Sequence, residues 1–165
     1  MQVIPENIGR GDGEMPTKDP RAVELKRLLE ETFERHHGMF TNKGTSLLET
    51  LDKVSAEQAS VPHGIEKETV AGHVFHMCFY LDVAMGSLRK TQTGDTDWDQ
   101  SWVVKGVDAE SWEHLKTDLR KGYHNVMGFI DAVEDWDEED LWGRLLGILA
   151  HNAFHLGAIR ELLSV

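Results

Sequence analysis

Cysteine is almost missing from this chain. Cys78 is the only one in 165 residues, so no internal disulfide can form and nothing points to an oxidising compartment. Cationic side chains are also scarce: 17 Lys and Arg stand against 29 Asp and Glu, for a formal net charge of −12. Affinity for DNA or RNA backbones comes from clustered Lys and Arg, so no nucleic-acid partner is expected. No apolar run is long enough to span a bilayer. The opening stretch MQVIPENIGRGDGEMPTKDP has no basic region followed by an apolar segment, so neither a signal peptide nor a membrane anchor is expected there. These absences together predict a cytoplasmic protein with no membrane partner. Several chemistries also lack their residues: there is no Gly-x-Ser-x-Gly and no phosphate-binding loop, and a single cysteine excludes a Cys-x-x-Cys-His haem attachment.

What the sequence does have is helical periodicity. A chain of this length suits one domain that buries roughly 70% of its unfolded surface. Residues 1–18 carry Gly9, Gly11, Gly13, Pro5 and Pro16 with no periodic apolar pattern, and read as a polar tail. The domain is expected over residues 19–165. Asp19-Pro20 reads as an N-cap followed by proline at the first helical position, and Val23, Leu28, Leu29, Thr32 and Phe33 keep helical phase after it. The segment from His36 to Gly44 interrupts the pattern, and spacing leaves one kinked helix and two collinear ones both open. Ser46-Leu47-Leu48-Glu49 and Ser55-Ala56-Glu57-Gln58 each fit a capping box.

A second helix is expected from about Glu66 to Lys90, with Val70, His73, His76 or Met77, Tyr80, Ala84 and Leu88 on its apolar stripe. The polar loop between Thr91 and Val107 carries Trp98 and Trp102, two large rings suited to a flap over one end of the domain. Asp108 caps a third helix with Trp112, Leu115, Leu119, Tyr123, Val126, Ile130 and Val133 inward. The acidic run Asp131–Asp140 reads as a solvated connection, with Asp137 the expected cap of the last helix. Four amphipathic helices, no strand and no repeat predict an all-α four-helix bundle.

The last helix, Leu141–Leu163, carries the chemistry. Its apolar stripe takes Leu141, Leu145, Ile148, His151, His155, Ala158 or Ile159, and Leu162, so two imidazoles fall where core side chains belong. One turn apart, both rings can reach a single ion; left without partners in a core, their nitrogens would be costly. A zinc-protease reading requires Glu after the first His, and Asn152 stands there. A di-iron carboxylate centre needs two Glu-x-x-His pairs, and only Glu34-Arg35-His36-His37 offers one. A third ligand from the second helix would leave at least one position open, the pattern of a catalytic ion. Spacing leaves both His73 and His76 in contention. Cys78 points to another face and is read as a small core residue; His36, His37, His63, His114 and His124 read as surface residues.

The segment His151-Asn152-Ala153-Phe154-His155-Leu156-Gly157-Ala158-Ile159-Arg160, with Glu68-Thr69-Val70-Ala71-Gly72-His73-Val74-Phe75-His76, resembles the DinB/YfiT-like superfamily of metalloenzymes. The similarity extends to Gly44–Leu48 and Ser55–Ala59, and so through most of the chain. In that family one histidine, a fixed distance after a Ser or Thr at the start of the second helix, joins the His-x-x-x-His of the last helix around a divalent metal. Counted from Thr69, that residue is His76, so the resemblance implies His76, His151 and His155 as metal ligands. Phe154 stands where members often have Tyr, and Ala158 where they often have Gln. The resemblance further implies a DinB-like four-helix bundle in a cytoplasmic bacterial protein, often a homodimer, holding nickel, zinc or another divalent ion. It implies a small-molecule substrate and a transferase using a low-molecular-weight thiol as co-substrate; a metal-dependent hydrolase and a noncatalytic metal-binding stress or scaffold protein are the alternatives. The general acid or base is left unassigned.

Overall fold

The computed structural model describes residues 19–164, so the tail expected over residues 1–18 lies outside the described residues. Among these, the chain forms six α-helices and no strand. Four are long: α1 (Pro20–Phe33), α4 (Val70–Leu88), α5 (Ala109–Asp131) and α6 (Leu141–Leu163). Two are short, α2 (Leu47–Leu51) and α3 (Ala56–Ala59), and a 3-10 turn covers Trp98–Trp102. No described helix is long and apolar enough to cross a membrane. The structure is thus all-α.

The helix starts follow local chemistry. Asp19 accepts from the Arg21 amide, with Pro20 at the first helical position. Thr69 and Asp108 accept from the amides of Gly72 and Ser111 and start α4 and α5. Both capping boxes form, Ser46 with Glu49 and Ser55 with Gln58. The break after α1 is real: α1 and α2 are separate, and the loop between them is tied to the buried Glu31 carboxylate. That carboxylate accepts from the amides of Met39, Phe40 and Thr41 and from the Thr41 hydroxyl.

Two expected boundaries move. The second helix begins at Val70 and not at Glu66, because Lys67 adopts φ +54° and His63 and Glu68 pair their backbones at 2.8 and 3.0 Å. It ends at Leu88, with Lys90 left-handed at φ +57°. Asp137 does not cap the last helix. The cap position is Asp140, at φ +64° with no side-chain cap bond, while Asp137 accepts from Arg21 at 2.8 Å and ties the start of α1 to the α5–α6 connection.

The core is one cluster in which α4 packs against α5 and α6, and α1 against α6 and α5. Trp112, Leu119, Tyr123, Val126 and Ile130 are buried on the inner face of α5. Tyr123 stacks on Phe33 of α1 at 4.7 Å, and the Trp112 indole donates to Val54 O at 2.7 Å. Gly122 lets α4 approach closely, since a Cβ there would lie 3.0 Å from Leu81 Cδ1. α4 is buried around much of its girth, so His73 and His76 are both inside. On α6 the buried side includes Asn152 and Ile159, with His151 half-buried at its edge.

Candidate metal centre

The first two turns of α4 face the middle of α6, and four imidazoles meet between them. His76, His151 and His155 each bring one ring nitrogen to within 4.8 Å of the others. Their ring centroids lie 4.5 to 5.1 Å apart. Three of the four are nearly enclosed, His73 at 3%, His155 at 4% and His76 at 7% exposure.

Each of two ligand candidates has one nitrogen held from outside the triad. His76 Nδ1 lies 2.8 Å from Ser101 Oγ, and that hydroxyl donates its hydrogen to Trp98 O at 2.6 Å. With its one hydrogen committed, Ser101 accepts from His76 Nδ1–H, which leaves His76 Nε2 with its lone pair. His155 Nδ1 lies 2.9 Å from His73 Nδ1. One of this pair donates and the other accepts. If His155 donates, its Nε2 is free for an ion and His73 carries its hydrogen on Nε2, which lies 3.8 Å from Glu68 Oε2. His73 thus stands behind His155, with the Glu68 carboxylate near its Nε2 but beyond hydrogen-bond distance.

The third histidine has no such tether. His151 Nε2 is buried without a hydrogen-bond partner, and so is His73 Nε2. A buried orphan nitrogen costs a folded chain on the order of 1–3 kcal/mol, so an orphan on a ring packed against two other imidazoles fits a cation as partner. The donor set fits one too: neutral imidazoles are the commonest metal ligands. Burial holds all four in the neutral form. It lowers His73 despite the opposing Glu68 carboxylate, and lowers His76 with help from His73. Burial, reinforced by neighbouring imidazoles, brings His151 to about 4 and His155 to about 3.

Aromatic rings close the site. Trp102 stacks on His76 at 4.2 Å and meets His73 edge-on at 5.2 Å, so the tryptophan loop lies over the histidines. Gly72 permits this, because a Cβ there would lie 3.0 Å from Val104 O. Tyr80 stacks on His151 at 3.6 Å, and burial raises its phenol above the usual range, keeping it protonated.

Of the residues expected at the site, His76, His151 and His155 converge, and His73 bonds one of them from behind. Cys78 is half-buried away from the cluster; its thiol faces Leu115 O at 3.8 Å, and burial pushes it up to about 12. His36, His114 and His124 are exposed and His37 and His63 half-buried. The sequence reading missed Ser101, Glu68 and the burial of Asn152, whose amide donates to Ile148 O at 2.7 Å. Only the unusual pair of tryptophans pointed toward the Ser101 loop.

Comparison with family models, with curated proteins and with solved structures finds no match to this chain.

Proposed function

We propose that this protein is a divalent-metal-dependent enzyme with a DinB-like four-helix bundle, using His76, His151 and His155 as ligands to transfer a group to a small thiol. The observation that carries the reading is the convergence of three imidazoles, with Ser101 and His73 each hydrogen-bonded to one ring from outside and a buried orphan nitrogen on the third. Nickel and zinc are the ions proposed, a low-molecular-weight thiol the co-substrate, and a cytoplasmic homodimer the setting. Three protein ligands leave a position open to a thiol or water.

A divalent cation held there supplies the positive charge that favours the deprotonated thiol or water near neutral pH. The protein's own groups supply the rest. Ser101 keeps His76 presenting Nε2, and His73 bonds His155 at Nδ1 from behind. Trp102 excludes water from the His73 and His76 faces. Tyr80 remains a phenol donor beside His151, placed to hydrogen-bond a bound substrate. With water in place of the thiol the same arrangement serves a hydrolase, and with no substrate it is a metal-binding protein.

Elemental analysis of untagged protein tests the reading, with wild type compared to His76→Ala and His155→Ala. About one divalent ion per chain in wild type and its loss in both variants is the expected result, followed by thiol consumption with an electrophilic substrate in the loaded protein. No bound metal after incubation with nickel or zinc overturns the proposal; metal without thiol consumption moves it to the hydrolase or binding form.

A further inference from the structure

A cavity of about 430 Å³ opens between α4 and α6 beside the histidines. Its nearest wall is Tyr80, one turn after His76 on α4, and Gly147, one turn before His151 on α6. The Tyr80 ring is shared: one side stacks on His151 at 3.6 Å, and the residue also lines the cavity. The volume falls within the roughly 300–1,000 Å³ of small-molecule sites. Gly147 helps keep it open, since a Cβ there would already be 3.8 Å from the Tyr80 hydroxyl. Val83 and Ile148 make the wall apolar, and Arg144 and Asp95 are its charged lining residues.

Arg144 is set apart by its place on the cavity and by what it does not do. In a protein with a net charge of −12, Arg21, Arg27, Arg35 and Arg120 are all salt-bridged. Like Arg89 and Arg160, Arg144 makes no salt bridge among the described residues; it alone of the three lines the cavity, and it donates a long 3.5 Å bond to Ser87 O. Glu138, whose carboxyl Arg144 helps to depress, is bonded to Lys90 at 2.6 Å. A guanidinium in this position is free to grip an anionic oxygen pair in two parallel bonds. Asp95 on the same cavity disfavours a second negative charge, so the fit is to a carboxylate and not to a phosphate dianion. Arg144 precedes His151 by seven residues, about 10 Å along a helix.

We infer that this cavity is a binding site for an organic monocarboxylate, with Arg144 holding the carboxylate and Tyr80, Val83 and Ile148 packing its apolar body toward His151. The substrate role rests on the metal-dependent reading above; the binding of a carboxylate does not.

Calorimetry on chelator-treated protein tests it with octanoate, octanamide and octyl phosphate as probes. Octanoate should bind at least about tenfold more tightly than octanamide, with octyl phosphate no tighter than octanoate. Arg144→Gln, a change at an exposed position, should cost octanoate about tenfold and leave octanamide unchanged. Gly147→Leu, which fills the wall beside Tyr80, should abolish binding of both. Equal binding of octanoate and octanamide, indifference to Arg144→Gln, or no octanoate binding at millimolar concentration overturns the inference. Because the protein is metal-free in this experiment, carboxylate binding by a chain that never takes up metal would refute the proposed function alone.

Discussion

Among the described residues, the buried polar groups around Glu31 and those between α4 and α6 are finished to different degrees. At Glu31 a fully buried carboxylate meets three backbone amides and the Thr41 hydroxyl at 2.8 to 3.1 Å. Between α4 and α6, imidazoles are buried with Nε2 of His73 and of His151 unpartnered. The first cluster has used its hydrogen-bonding capacity to pin a loop. The second leaves two ring nitrogens without a partner, at a cost in stability.

The sharpest break of this contrast is a double dissociation. Glu31→Gln places an amide donor among amide donors and should destabilise the fold by about 3 kcal/mol, a fall in melting temperature of roughly 10 °C, while metal content stays at the wild-type value. His151→Ala, at a half-buried ring whose Nε2 has no partner, should do the opposite, removing the metal while the metal-free protein melts close to wild type. Equal effects of both changes on metal and on stability would erase the distinction between the clusters.

Acid titration separates them on the pH axis. Burial pushes the Glu31 carboxyl up, but its four donors outweigh this and carry it down to about 2. A lowered carboxylate contributes stability above its unfolded value of about 4.5, lost as pH falls toward 2. His151 and His155 are lowered to about 4 and about 3; unfolded, they would bind protons from about pH 6.5 down. Metal-free protein should therefore begin losing stability near pH 6.5, with a second loss below about 4.5. Denaturant melts from pH 7 to 3 read both windows, and His151→Ala with His155→Ala should shrink the upper one, to which the lowered His73 and His76 also contribute, and leave the lower one in place.

A smaller effect sharpens the account of the ligands. Ser101→Ala and His73→Gln each remove an outer hydrogen bond to a ligand and should weaken metal binding about tenfold in chelator competition. Wild-type affinity in both would reduce those contacts to packing. The smallest effect belongs to Cys78→Ala: metal affinity unchanged and a stability change under about 1 kcal/mol, since its thiol sits away from the histidines.

Much of this was legible in the sequence because local chemistry wrote it. Asp19-Pro20, Asp108 and the two capping boxes are read from neighbours within four residues, and each forms as expected. His151 and His155 were visible as polar intrusions in an apolar stripe. The start of α4 was misread because a left-handed Lys67 and the His63–Glu68 pairing leave no pattern in hydropathy. Ser101 was invisible for a different reason: it reaches His76 across 25 residues through a loop whose path depends on Gly72 and Trp102. The choice between His73 and His76 could not come from spacing, because both are buried and both rings pack against the histidines of α6.

The central claim is tested most directly by X-ray absorption spectroscopy at the metal edge of nickel- or zinc-loaded protein, before and after addition of a small thiol. Three imidazole nitrogens with at least one solvent oxygen, that oxygen replaced by sulfur when thiol is added, is the predicted result. A shell without three imidazoles, or one closed by a fourth protein ligand and unchanged by thiol, would contradict it.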